Sequence, residues 1–187
     1  ACIAAVEAGE GWYASHAWHP AFFAGTATLA HELAAQRDWA VPDAVVTPVG
    51  HGTLLLGAYR GFRALRAGGW TDDLPRLLGV QAAGVAPLVA ARGGAGPATQ
   101  PGDDDADSRA GADATPPAAR NDLADGIQVA EPAREGQIHD ALDETGGDVL
   151  AVGADATATA RADLARAGFH VEPTSAVALA GLREYAD

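Results

Sequence analysis

Two glycines separated by one residue follow a short apolar run, and this turn is the part of the sequence best suited to binding chemistry. The run ends at Val49, and Gly50-His51-Gly52-Thr53-Leu54 comes directly after it. Glycines let the backbone turn sharply and bring its N–H groups close to an anion, and the N-terminus of a following helix adds unpaired donors. The pattern predicts a phosphate cradle. A tight strand-to-helix connection with no ligand accounts for the same spacing equally well.

Two nucleotide-binding motifs fit this turn less well. In the G-x-G-x-x-G fingerprint the third glycine comes three residues after the second, whereas the next glycine after Gly52 is Gly57. A Walker A loop requires a Gly-Lys pair, and the chain contains no lysine. Dinucleotide binding is therefore the weaker interpretation, and a Walker A loop is excluded.

Other residues with metal-binding or nucleophilic side chains have simpler structural interpretations. His16 and His19 have H-x-x-H spacing and His31 lies further along, but the neighbouring aromatic residues favour packing over metal ligation. The acidic run 103–107 lacks the glycine and the distal glutamate of a calcium loop. Cys2 has no histidine nearby, so it is predicted to be a small buried apolar residue.

The glycine turn belongs to an alternation of predicted strands and helices. Short apolar runs predict buried strands at 44–49, 77–81 and 148–152, and helix-compatible sequence follows each of them. Behind the first strand, apolar residues recur at helical spacing as far as Leu65, and Gly68-Gly69 ends that helix. The expected fold class is therefore α/β, with a parallel sheet flanked by helices on both faces.

Further helices and one irregular segment complete a single predicted unit spanning 1–187. The additional helices are predicted at 22–37, around 138–142, at 157–167 and at 173–185. The stretch from about 93 to 125 consists mainly of Gly, Pro, Ala, Thr and Asp, with almost no large apolar side chains. Such a composition cannot form a packed core, so a solvated, low-complexity acidic insertion is predicted there.

The charge of the chain limits the classes of partner. The sequence has 25 acidic residues against 12 basic ones, all of them arginine, and a formal net charge of -13. This balance repels nucleic-acid phosphates and anionic membrane surfaces, so we expect neither nucleic acid nor membrane as a partner. An acidic, lysine-free composition rich in alanine and glycine also resembles that of proteins from salt-loving archaea or high-GC bacteria. The single cysteine and the lack of a signal-peptide pattern favour a cytoplasmic location.

Four segments, in one order, resemble threonine synthase and its close relatives among the tryptophan-synthase-β-like pyridoxal-phosphate enzymes. The longest is 47–62, TPVGHGTLLLGAYRGF, which is similar to their phosphate loop and the helix after it. The others are 19–26 (HPAFFAGT), 79–87 (GVQAAGVAP) and 169–176 (FHVEPTSA). The resemblance covers nearly the whole chain except the acidic insertion. It implies the later part of a fold-type-II enzyme, with pyridoxal 5'-phosphate as cofactor.

The same resemblance implies specific binding residues. The cofactor phosphate would be held, chiefly through backbone N–H groups, by Gly50, His51, Gly52, Thr53 and Leu54. The Thr53 hydroxyl is a possible further donor. Relatives usually have asparagine where His51 stands, and a neutral imidazole can donate a hydrogen bond from that place. Glu172 lies either near the cofactor ring or in the first turn of a helix, where its charge stabilises the helix dipole.

The implied activity is limited by the composition of the chain. Enzymes of this type hold pyridoxal phosphate through a Schiff base to a lysine, and no lysine is present. We therefore expect a portion of a longer enzyme, or a gene remnant, that is inactive alone. The resemblance implies that the intact enzyme converts the amino-acid substrate O-phosphohomoserine and water to threonine and phosphate and, as relatives commonly do, forms a homodimer. The alternatives are a threonine or serine dehydratase, a diaminopropionate ammonia-lyase, a cysteate synthase, or a non-catalytic module that binds a phosphate ligand.

Overall fold

The computed structural model describes residues 2–93 and 120–186, the first two by their backbone only, and its described part contains a three-stranded parallel sheet. The strands are β1 (Ala44–Pro48), β2 (Arg76–Ala82) and β3 (Asp148–Val152), in the order β1-β2-β3. Ala44 lies opposite Arg76, and Leu78 lies opposite Asp148. The predicted parallel sheet is confirmed, and the third strand has the predicted bounds.

Helices make up most of the remaining described structure. They are α1 (Cys2–Glu7), α2 (Pro20–Thr26), α3 (Thr28–Gln36), α4 (Thr53–Ala67), α5 (Pro87–Ala91), α6 (Glu135–Glu144), α7 (Ala154–Arg166) and α8 (Pro173–Ala186), with a 3₁₀ turn at Asp125–Ile127. Over the described ranges, none of these helices combines the length and apolar character that a membrane crossing requires.

Side chains of β2 alternate between two apolar clusters, which places helices on both faces of the sheet. Leu77 packs in a cluster with Leu55 of α4 and Leu142 of α6. Val80 packs on the other face, in a cluster that includes Val177 of α8. The predicted α/β class, with helices flanking a parallel sheet, is therefore confirmed.

Helix α8 packs very closely on the second face of the sheet. A Cβ added to Gly181 would overlap the side chain of Val80, so only glycine fits at this crossing. One turn later, the Tyr185 hydroxyl donates a hydrogen bond to the Gly79 carbonyl oxygen at 3.0 Å. Burial raises the pKa of Tyr185 above its ordinary value. The hydroxyl thus remains a neutral donor that ties the end of α8 to the middle of β2.

One predicted helix is interrupted. The single helix predicted at 22–37 is observed as α2 and α3, which meet at Ala27. The break lies at the contact with α4, where a Cβ on Gly57 would overlap the side chain of Thr26. The Thr26 hydroxyl also donates to the Thr53 carbonyl oxygen at 3.2 Å. The interruption therefore lies where this threonine meets α4, and the spacing of apolar residues in the sequence does not predict that contact.

The predicted acidic insertion extends too far toward the C-terminus. Residues 94–119 lie outside the described residues, but Asn121 and Ala124 are fully buried. The Asn121 amide donates to the Ala83 carbonyl oxygen at 2.7 Å, and its side-chain Nδ2 donates to the Val152 carbonyl oxygen at 3.0 Å. The end of the segment therefore packs against the C-terminal ends of β2 and β3, and the prediction of a wholly solvated stretch is wrong for these residues.

Candidate cofactor-phosphate site

The glycine turn connects the C-terminal end of β1 to the start of α4. The Val49 amide still donates to the Val80 carbonyl oxygen at 2.8 Å, so the chain leaves the sheet only after that residue. Gly52 has φ 78° and ψ 11°, a left-handed conformation that favours glycine. A Cβ at Gly52 would also overlap the side chain of Ile138 on α6. Both backbone conformation and space therefore require glycine at this position.

The backbone amides of the turn have no acceptors in the part of the chain that the structure describes. None of the N–H groups from Gly50 to Leu55 donates a hydrogen bond there, and the first bond of the helix runs from the Leu56 amide to the Gly52 carbonyl oxygen at 2.9 Å. No side chain caps the helix at Gly52. Because α4 has 15 residues, these donors lie at the positive end of a long helix dipole. The turn can therefore hold an anion.

His51 has a hydrogen bond that determines where its ring proton lies. Its Nδ1 accepts from the Ala133 amide at 3.4 Å. A neutral imidazole has one acceptor nitrogen and one N–H group. Because Nδ1 is the acceptor here, Nε2 carries the hydrogen. The ring of His16 packs edge-on at a centroid distance of 5.5 Å. The side chain of His51 thus retains one N–H donor, as the sequence interpretation requires.

Thr53 and Leu54 occupy the first turn of α4. The Thr53 hydroxyl donates to the His16 carbonyl oxygen at 3.4 Å, a long bond that already engages the group proposed as a further phosphate donor. Leu54 is 37% exposed, and its amide donates to no acceptor among the described residues. In this structure, the backbone amides rather than the threonine hydroxyl are the free donors of the turn.

The backbone of Ala17 and Trp18 lies near the glycine turn, and one arginine, Arg134, holds it there. Arg134 Nε donates to the Ala17 carbonyl oxygen at 2.8 Å, and Nη2 donates to the Trp18 carbonyl oxygen at 2.7 Å. The guanidinium also lies 4.7 Å from the centre of the Phe23 ring, and Arg60 lies 4.3 Å from the same ring. Burial lowers the pKa of Arg60, and the charge of Arg134 lowers it further. The guanidinium groups of Arg60 and Arg134 thus both contact the Phe23 ring.

The histidines considered for metal binding have other roles. His19 caps α2 through Nδ1, which accepts from the Ala21 amide at 3.2 Å, and its ring packs on Trp12. Across 2–93 and 120–186, no group of three or more metal-ligating side chains is arranged to hold an ion. The structure therefore favours the packing interpretation of this segment.

Two residues near the turn, Gly126 and Val129, were not identified from the sequence. A Cβ on Gly50 would lie 3.2 Å from Val129 Cγ2, and one on Gly126 would lie 3.2 Å from the Thr174 hydroxyl. The chain around Gly126 therefore lies between the glycine turn and the first turn of α8. The only available signal was the Asp125-Gly126 pair at the end of a low-complexity stretch.

Glu172 lies at the start of α8, and its place near the cofactor ring stays a prediction. Its side chain is exposed, and its carbonyl oxygen accepts from the amides of Ser175 and Ala176 at 3.1 Å each. The residue therefore stands at the beginning of α8. A carboxylate at this position stabilises the positive end of the helix dipole.

The donor set fits the phosphate group of pyridoxal 5'-phosphate. It combines a turn with glycine in the left-handed conformation, successive amides that have no acceptor among the described residues, and a helix N-terminus, and these are the features of phosphate sites after strands of α/β proteins. The site lies at the C-terminal edge of a parallel sheet, where ligands of such folds bind.

Comparison with known proteins supports the same cofactor. The threonine synthase of Methanosarcina acetivorans is 34% identical over 176 residues, which cover 94% of this chain and 40% of that protein. The threonine synthase of Methanocaldococcus jannaschii is 30% identical over 173 residues, covering 92% of this chain and 39% of that protein. The chain thus spans about 40% of the length of these curated relatives.

A solved structure and a family model agree with these relatives. A crystal structure of the T.th. threonine deaminase matches with a TM-score of 0.57 and 28% identity, covering 90% of this chain and 54% of that chain. The family model described as "Pyridoxal-phosphate dependent enzyme" matches residues 1–187. The predicted resemblance and the predicted cofactor are confirmed: this chain belongs to the pyridoxal-phosphate dependent enzymes.

Proposed function

We propose that the turn from Gly50 to Leu54 binds the phosphate of pyridoxal 5'-phosphate in an enzyme of the threonine synthase type, which converts O-phosphohomoserine and water to threonine and phosphate. The observation that carries the phosphate site is the run of amides without acceptors at the start of α4. The similarity to two archaeal threonine synthases supports the reaction.

Each part of the turn has a role in this proposal. The amides donate to the phosphate oxygens, and the left-handed Gly52 orients them toward one point. The Nε2–H of His51 supplies a further donor, while Ala133 fixes the tautomer. When bound, the cofactor withdraws electrons from the substrate. The residues of this turn position it and balance the charge of its phosphate.

The composition of the chain adds a second element to the proposal. The chain has no lysine, so it offers no side-chain amine for the Schiff base that holds this cofactor in the family. We therefore propose that the chain by itself binds the cofactor only through non-covalent contacts and has no threonine synthase activity.

A dehydratase is the second candidate, and the match to threonine deaminase favours it. The two reactions have different products. If phosphate is released from O-phosphohomoserine by the protein as it occurs in the cell, a synthase is supported. If the protein forms α-ketobutyrate from threonine but releases no phosphate from O-phosphohomoserine, the synthase is contradicted and the dehydratase is supported.

The phosphate site itself is tested by binding rather than by activity. Titration of the chain with pyridoxal 5'-phosphate and with pyridoxal, which lacks the phosphate, should show clearly tighter binding of the phosphorylated form. Leu54→Asp places a carboxylate beside the turn. A like charge about 6 Å from the phosphate, at an effective dielectric constant between protein and water, should weaken binding by roughly tenfold.

A matched variant separates the local effect from the change in net charge. Thr159→Asp adds the same charge at an exposed position of α7, on the opposite face of the sheet. It should leave the affinity for pyridoxal 5'-phosphate unchanged. Equal affinities for the two ligands, or equal effects of the two substitutions, would show that the turn does not bind the phosphate.

A further inference from the structure

A second cavity lies at the opposite edge of the sheet from the cofactor site. It has a volume of about 540 Å³ and is lined by residues that precede β1 and β2, among them Trp39, Asp43, Trp70 and Asp72. The glycine turn follows the other end of β1, which has five residues. At a rise of about 3.3 Å per residue, the two sites are separated by the length of the strand, about 16 Å. This cavity is therefore not part of the cofactor site.

Two exposed tryptophans form one wall of this cavity. The rings of Trp39 and Trp70 lie 4.6 Å apart between centroids and are tilted by 36°. They remain 42% and 60% exposed, so a large part of each side chain is open to solvent. The backbone holds them there, because the Trp39 amide donates to Ala34 and the Trp70 amide donates to Leu65. Tryptophan faces attract cations more strongly than other aromatic rings.

Carboxylates line the same cavity. Asp43, Asp72 and Asp73 are exposed, and in the described part of the chain none of them takes part in an ion pair. Arg76 is the one basic residue among the lining residues, and its Nε donates to the Gly146 carbonyl oxygen at 3.2 Å. The lining therefore carries an excess of negative charge, which repels anionic ligands and attracts cations.

We propose that this cavity binds a small organic cation that carries N–H donors, a primary ammonium or a guanidinium group. The cation lies over the Trp39 and Trp70 rings, and its N–H groups donate to the carboxylates. Aromatic faces provide affinity for the charge and the adjoining methylene groups, and the oxygen acceptors select against a fully alkylated nitrogen.

Tryptophan fluorescence provides a direct assay. The chain has four tryptophans, and replacing exposed Trp12 and Trp18 with phenylalanine leaves only the pair at the cavity. In this background, titration with butylammonium or butylguanidinium chloride should change the emission saturably, with a dissociation constant in the millimolar range. Sodium chloride at the same ionic strength should not. Tetramethylammonium should bind several-fold more weakly than butylammonium.

Variants test the carboxylates as acceptors. Asp72→Asn with Asp73→Asn should weaken butylammonium binding by about five- to tenfold, since each exposed charge pair contributes up to a few-fold. Circular dichroism of each variant confirms that it is folded.

The control keeps the charge change and moves it away from the cavity. Asp155→Asn with Glu184→Gln removes two exposed carboxylates from α7 and α8 and should not change the affinity. Three results would overturn the proposal: an emission change that does not saturate, one that sodium chloride reproduces, or equal losses in the two double variants. Equal binding of tetramethylammonium would overturn the requirement for N–H donors.

Discussion

Replacing Gly57 with alanine should destabilise the protein, although alanine is the better helix former. A Cβ at this position would lie 2.8 Å from the backbone carbon of Thr26 and closer still to its side chain, so no change of side-chain rotamer relieves the overlap. Overpacking of this kind costs about 1–3 kcal/mol. Displacing Thr26 also breaks its bond to the Thr53 carbonyl oxygen, at about 1 kcal/mol. The higher helix propensity of alanine offsets about 1 kcal/mol of this loss.

The sum is a decrease of about 1–3 kcal/mol in the free energy of unfolding. Gly25→Ala is the matched control, because Gly25 is also helical and a Cβ there meets nothing within 4 Å. That substitution should leave the stability unchanged or raise it by up to about 1 kcal/mol. Urea unfolding followed by circular dichroism measures both. If Gly57→Ala were as stable as Gly25→Ala, the close contact between α2 and α4 would not exist as described.

Other predictions concern the core, the buried polar contacts and the cofactor. Phe62→Ala, at a fully buried position, should lower the free energy of unfolding in urea by about 3–5 kcal/mol. Asn121→Ala removes the bond to the Val152 carbonyl oxygen, and we expect a loss of about 1–3 kcal/mol in the same assay. The hydrogen bond from Tyr59 holds the pKa of Glu144 below its usual value, so this carboxylate stabilises the fold above its unfolded pKa and ceases to do so as pH falls through its folded pKa. Glu144→Gln should therefore destabilise the protein at neutral pH, and the difference from the original chain should vanish in acid. Borohydride treatment with pyridoxal 5'-phosphate should yield no side-chain adduct by mass spectrometry, because there is no lysine.

Each of these predictions has an outcome that contradicts it. A loss below about 1 kcal/mol for Phe62→Ala would contradict the packing of α3 on α4. For Asn121, the exposed neighbour Asp122→Ala is the control, and equal effects would contradict the burial of Asn121. A pH-independent effect of Glu144→Gln would mean that its ionisation is not linked to folding. A pyridoxyl group found on any side chain would contradict the non-covalent binding proposed above.

The sheet and its order along the chain can be predicted from local sequence. The run at 148–152 is apolar, short and bounded by glycines, so the sequence predicts its strand with the observed bounds. The helix after the glycine turn has apolar residues at helical spacing and a Gly68-Gly69 stop, which predict it within one or two residues. These elements depend mainly on residues that are close together in the sequence, so local patterns predict them.

Contacts between distant residues cannot be predicted in the same way. Asn121 is polar and stands beside a low-complexity stretch, and its burial depends on the ends of β2 and β3. The tautomer of His51 depends on Ala133, and the tryptophan pair joins Trp39 to Trp70. None of these partners is near in sequence. At the candidate site, the sequence therefore predicts which residues form the turn but not which groups surround it.

The two carbonyl bonds of Arg134 link parts of the chain that are far apart in sequence. They fasten the backbone of Ala17 and Trp18 to the start of α6, while the neighbouring His16 carbonyl accepts from Thr53 at the phosphate turn. Movement of that backbone away from the turn must therefore break both bonds or carry the first residues of α6 with it. One guanidinium thus couples the start of α6 to the segment that also contacts the phosphate turn.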